Sequence, residues 1–175
     1  PQREEVNIMP LIRNESEEKR ENTFLKYEAE NTLVIKSNLY KIISHYAGEV
    51  LNKYVACHKE DCEYCQKNIQ KKTEYNYFVK LNGNEGIMDI KPSVFFDINA
   101  IEKITKKDKR NMSWLVIKTG EGKQTRYTTS KDEPLTKEEV EKGEKELPAW
   151  NKKLEDLMTA RELKLEEEYD NLKSQ

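Results

Sequence analysis

The chain has 175 residues, of which 37% are charged and 35% hydrophobic, and its formal net charge is −2. That length suits one domain with extensions and a core of moderate size. No apolar run approaches the roughly 20 residues needed to span a bilayer, and an odd number of cysteines argues against a secreted disulfide framework and for a reducing, cytoplasmic setting.

The small net charge hides an uneven distribution. Residues 36–131 carry 18 Lys/Arg against 11 Asp/Glu, residues 1–35 carry 5 against 8, and residues 132–175 carry 8 against 14. A basic centre between acidic ends suits a polyanionic partner.

In chain order, residues 1–30 read as a flexible charged arm, interrupted by Pro10, with Val6, Ile8 and Leu11 as its few apolar points. A core over residues 31–135 follows. Thr32–Lys36 is a short β-branched run and predicts a first strand, and Leu39–Tyr46 predicts a second. Ala47-Gly48 predicts a turn, and Val50–Ala56 leads into a cysteine-rich stretch.

That stretch holds every cysteine of the chain. With His45 upstream, the spacing is His-x11-Cys-x4-Cys-x2-Cys, through Cys57, Cys62 and Cys65. A Cys-x2-Cys pair lets two thiolates of one tight turn grip the same ion, and a third thiolate with an imidazole closes a tetrahedron. Three clustered thiols in a polar loop are poorly placed to be buried apolar groups, so the pattern predicts one structural zinc ion. His45 is the expected fourth ligand because it can arrive from a neighbouring strand. His58 is the alternative, but it follows Cys57 directly and would have to fold back on the same turn. Four protein ligands leave no open position for catalysis.

Beyond the cysteines, Lys67–Lys72 is expected to form a short helix. Tyr75–Leu81 predicts a strand with Tyr75, Tyr77, Val79 and Leu81 on one face. Asn82–Gly86 is turn chemistry and Ile87–Ile90 its hairpin partner. The spacing of Val94, Phe95, Ile98, Ile101 and Ile104 after Pro92 predicts a helix, and Lys103–Arg110 a basic loop. Ser113–Lys118 and Lys123–Thr129 predict two more strands around a Gly-containing turn. Short strands at hairpin spacing with one internal helix suggest a mainly β fold with α additions, a small β-barrel with a zinc-binding loop. Residues 136–175 form an acidic helical segment. Thr136–Glu139 is a capping box opening one helix, and a second helix is expected from near Pro148. The second carries a stripe of Trp150, Leu154, Leu157, Met158, Leu165, Tyr169 and Leu172, which is the pattern of a helix docked on its parent domain.

There is no Gly-rich phosphate loop and no Ser/His/Asp constellation, so the chain is not expected to be an enzyme; a metal-dependent nuclease ranks a distant third. The central region instead interleaves aromatic and basic residues, as single-strand binders do. For any one strand aromatic, the core is the more frequent fate.

The order of these features resembles the zinc-containing single-stranded-DNA-binding proteins of T-even-type bacteriophages. The resemblance rests on Lys53-Tyr54-Val55-Ala56-Cys57, on Cys62-Glu63-Tyr64-Cys65-Gln66, and on Trp114–Lys118 with Arg126–Ser130, within residues 32–135. It implies an OB-fold core, sequence-independent and salt-sensitive binding of single strands, and a role in phage or mobile-element DNA replication and recombination. It also implies that the acidic tail recruits replication proteins such as polymerase, primase or helicase. Lys80, Lys91, Lys118, Lys123 and Arg126 are then expected at phosphates, and Tyr77, Phe78, Trp114 and Tyr127 among the stacking residues. The rival reading is a zinc-stabilised protein-interaction adaptor in replication or transcription. No membrane partner is expected.

Overall fold

The computed structural model describes residues 24–47 and 53–173. The expected N-terminal arm through residue 23, with Val6, Ile8 and Leu11, lies outside the described residues, as do Gly48 and Val50.

Among the described residues seven strands form one antiparallel sheet: β1 (Glu30–Ile35), β2 (Tyr40–Ala47), β3 (Lys53–Ala56), β4 (Lys71–Leu81), β5 (Asn84–Asp89), β6 (Met112–Thr119) and β7 (Arg126–Pro134). Their order is β3-β2-β4-β1-β6-β7, with β5 on β4, and the ladder does not close on itself. The expected barrel is therefore an open, mainly β sheet.

The long β4 organises it. β1 and β2 lie in succession along one edge of β4, from Leu33 opposite Leu81 to His45 opposite Lys71. Between Ile35–Val79 and Tyr40–Asn76, five steps on one side meet three on the other, so the chain bulges at residues 36–39. There Ser37 supplies a substitute for the ladder: the Phe78 N–H donates to its Oγ at 2.7 Å, while the Lys36 N–H donates to the Phe78 carbonyl at 2.8 Å. A bulge of this kind lets one continuous edge bend. β5 returns along the other edge through Asn82-Gly83, whose φ values of 51° and 87° are those of a two-residue hairpin turn.

Among the described residues three α-helices accompany the sheet: α1 (Glu63–Gln66), α2 (Pro92–Thr105) and α3 (Lys137–Lys173). The helix expected over Lys67–Lys72 is instead the single turn α1. It stops at Asn68, which takes φ 58°, and Lys71 and Lys72 already pair with β2. The strand expected from Lys123 begins at Arg126, because residues 122–124 make a short 3-10 turn, and it runs on to Pro134. Its charged end, Lys131–Glu133, suits an outer strand, where charge discourages further pairing.

The two C-terminal helices expected around Pro148 are one helix of 37 residues. The Thr136 capping box is formed in both directions, Glu139 N–H to Thr136 Oγ1 and Thr136 N–H to Glu139 Oε1, each at 3.2 Å. Pro148 removes one internal hydrogen bond. The helix continues because Leu154, Met158, Leu165 and Tyr169 beyond it are buried against the sheet.

Helices cover both faces of β4. Tyr77, Val79 and Leu81 share a core with Val94 and Ile98 of α2 and with Leu33, Trp114 and Val116. Phe78, from the opposite face, packs with Ile42, Ile87, Leu154 and Met158 under α3. A third cluster joins Ala47, Val55 and Cys62 to Tyr169. Among the described residues no helix is long and apolar enough to cross a membrane.

Candidate metal centre and the basic rim

His45 lies at the end of β2, fully buried, and the sheet brings it to the cysteine loop because β2 pairs with both β3 and the start of β4. Cys57 directly follows β3, and its N–H donates to the Ile43 carbonyl. Cys62 caps α1 and Cys65 lies on its turn. Ligand atoms of His45, Cys57, Cys62 and Cys65 all lie within 4.8 Å of one another.

The spacings suit one tetrahedral ion. His45 Nε2 is 3.4 Å from both Cys62 Sγ and Cys65 Sγ, and Cys57 Sγ is 3.6 Å from Cys65 Sγ. A tetrahedron with metal–sulfur arms of about 2.3 Å and metal–nitrogen arms of about 2.0 Å has edges of roughly 3.5–3.8 Å. The same 3.6 Å is far from the roughly 2.05 Å of a disulfide.

The surroundings prepare the ligands. His45 Nδ1 lies 3.0 Å from the Ile69 carbonyl. A carbonyl only accepts, so Nδ1 carries the proton and Nε2 presents a lone pair to the thiols. Burial would raise the Cys62 thiol, but the N–H groups of Cys65, His58 and Tyr64 bring it below its ordinary value. Burial, then hydrogen bonds and charge from Cys57 and Cys62, push Cys65 up to about 11. Three adjacent thiolates repel one another, and a bound cation removes that repulsion. The donor set can therefore hold one metal ion.

α3 braces this site. Tyr64 stacks on the His45 ring at 5.8 Å, and Tyr169 meets Tyr64 edge-on at 5.6 Å and accepts from the Glu63 N–H at 3.4 Å. The His58 ring lies 3.8 Å from that of Tyr169, with Nε2 2.5 Å from Glu166 Oε2. His58 is thus turned to α3, and His45 is the histidine among the thiols.

The expected stacking residues fare differently. Tyr77, Phe78 and Trp114 are 2%, 3% and 0% exposed, which corrects their assignment to base contacts. Helices on both faces of the sheet leave no open side for them. Trp114 also spends its indole N–H on the Lys109 carbonyl. Phe78 stacks on Trp150 of α3 at 4.1 Å.

Tyr127 stays half-buried, with its ring 5.1 Å from Tyr27. It sits opposite Lys118, and Arg126 sits opposite Thr119, so these residues and Lys123 gather at one end of the β6–β7 pair. Lys91 caps α2, near Tyr27, while Lys80 lies toward the start of α3. Lys80, Lys91, Lys123 and Arg126 are exposed and Lys118 half-buried.

Of the aromatics on the rim of the central core, the sequence marked Tyr127 as a stacking residue and missed Tyr27, Tyr75, Phe95 and Phe96 in that role. Tyr27, Tyr75, Phe95 and Tyr127 are partly buried along that rim. Tyr75 and Phe95 stack at 3.9 Å, and Phe96, 58% exposed, stands edge-on to Phe95 at 5.4 Å. The adjacent pair Phe95-Phe96 was the available signal, since a helix of this spacing can turn only one of two neighbours fully inward. Comparison of the chain with protein-family models, with curated proteins and with solved structures returns no match.

Proposed function

We propose that the chain is a sequence-independent single-stranded-DNA-binding protein, with an OB-like core braced by one structural zinc ion, that serves DNA replication or recombination. The observation that carries the reading is the rim: partly exposed aromatics, Tyr27, Tyr75, Phe95, Phe96 and Tyr127, beside Lys91, Lys118, Lys123 and Arg126. None of those four cations forms an ion pair among the described residues. Aromatic faces accept bases of any sequence, and free cations neutralise phosphates.

The His45, Cys57, Cys62 and Cys65 cluster supports the reading through its ligand order, one of the features that the resemblance to the phage proteins rests on. It acts as a brace and takes no part in DNA chemistry. The solvent side of α3, where Glu141, Glu144, Glu155 and Asp156 are exposed, is left for a replication partner.

The test is binding of a labelled oligothymidylate across a salt series. Four phosphate contacts predict a slope of log affinity against log salt near about −3, and Lys118→Ala or Arg126→Ala should each reduce it by about 0.7. Absent binding at low salt, or affinity indifferent to salt, overturns the proposal.

A further inference from the structure

A second aromatic site lies away from the rim, next to the metal centre. Tyr46 on β2 and Tyr54 on β3 are directly opposite cross-strand partners. Their rings lie 5.1 Å apart, and the side chains remain 45% and 40% exposed. Lys72 of β4 places its Nζ 4.7 Å from the centre of the Tyr54 ring. It stands opposite Ser44, one strand in from the tyrosine pair.

From this geometry we infer that Tyr46, Tyr54 and Lys72 form a second stacking subsite for single-stranded DNA. The inference rests on the function proposed above. Two neighbouring exposed rings suit one or two bases, and an ammonium beside them suits the linking phosphate. Among the described residues Lys72 has no acidic partner within ion-pair distance, so its charge remains available to an anion. The patch is too small to be an interface between copies of this chain. Two such rings expose on the order of 200 Å², whereas a stable protein interface needs about 800 Å² from each partner.

The position also links the subsite to the metal. Tyr46 adjoins His45 and Tyr54 lies three residues before Cys57, so a metal ion held by His45 and Cys57 would tie together the two strands that carry the rings. Exposed aromatics on a braced sheet are held in place before a base arrives, which reduces the ordering cost of binding.

The experiment uses the full zinc-loaded chain and an oligothymidylate carrying 5-iodouracil, with photocross-linking followed by peptide mapping. Cross-links at Tyr46 or Tyr54 are expected. In parallel, Tyr46→Ala and Tyr54→Ala should each weaken oligothymidylate binding roughly 5- to 100-fold while Tyr→Phe at either position retains it. Lys72→Ala should reduce the salt slope by about 0.7. Normal metal content in the alanine variants, with unchanged affinity and cross-links confined to the rim, overturns the subsite and leaves the function standing. That is also the outcome if the patch takes a protein segment. If the wild-type chain binds no single strand, the function itself falls and the subsite with it.

Discussion

At the scale of single residues, the two histidines differ in what faces them. His45 offers Nε2 to two thiols and anchors Nδ1 on a carbonyl, whereas His58 meets Glu166. If the cluster holds a metal ion, His45→Ala should therefore lose metal uptake and His58→Ala should retain about one ion per chain, as metal analysis of the purified proteins would read. Tyr77 gives a pH test. Burial, and secondly the charge of Glu102, raises its phenol from the ordinary 10.0 to about 12. A raised folded value means the stabilisation is complete below pH 10 and is lost as pH climbs toward 12. Alkaline unfolding should thus begin above pH 10, and Tyr77→Phe should move its midpoint upward. A midpoint unchanged by that substitution would remove Tyr77 as the cause.

At the scale of elements, most strands were legible because β-branched and aromatic runs are bounded by turn residues. Asn82-Gly83 marks a hairpin by chemistry alone, and the Thr136–Glu139 capping box forms as its spacing requires. Errors fell where tertiary contact outweighs local preference. Lys71 and Lys72 look helical in isolation, yet their backbone completes the ladder that positions His45. Pro148 looks like a boundary, yet α3 runs through it because four buried side chains hold the later turns. Pro148→Ala should restore the missing hydrogen bond and raise stability by up to about 3 kcal/mol, measured by chemical denaturation. Thr136→Ala should cost about 1 kcal/mol through the lost cap.

At the scale of the whole molecule, α3 is part of the fold. It covers Ile42, Phe78 and Ile87, meets Glu74 through Arg161 at 2.9 Å, and reaches the metal centre through Tyr169. Removing residues 136–175 should therefore uncover a hydrophobic face and loosen the brace around the cysteines. We expect the shortened chain to bind a hydrophobic dye, aggregate and take up zinc weakly; a soluble, cooperatively melting product with full metal content would show that the sheet stands without it. A partner that docks on α3 must accordingly read its solvent side.

The candidate metal-binding cluster was legible in the sequence because thiol spacing within one turn and a histidine on a nearby strand are short-range features. Strand alternation likewise separated Tyr75, Tyr77, Val79 and Leu81 from Phe78. Alternation says which residues share a face, but not whether that face is covered. Only the tertiary structure decided that helices close both faces of β4, which buried Tyr77, Phe78 and Trp114 and left the aromatic rim and the Tyr46–Tyr54 pair exposed. The physical reason is that burial depends on what packs from elsewhere in the chain. α2 and α3 are recruited by area and shape across long sequence separations, and no short stretch records that match.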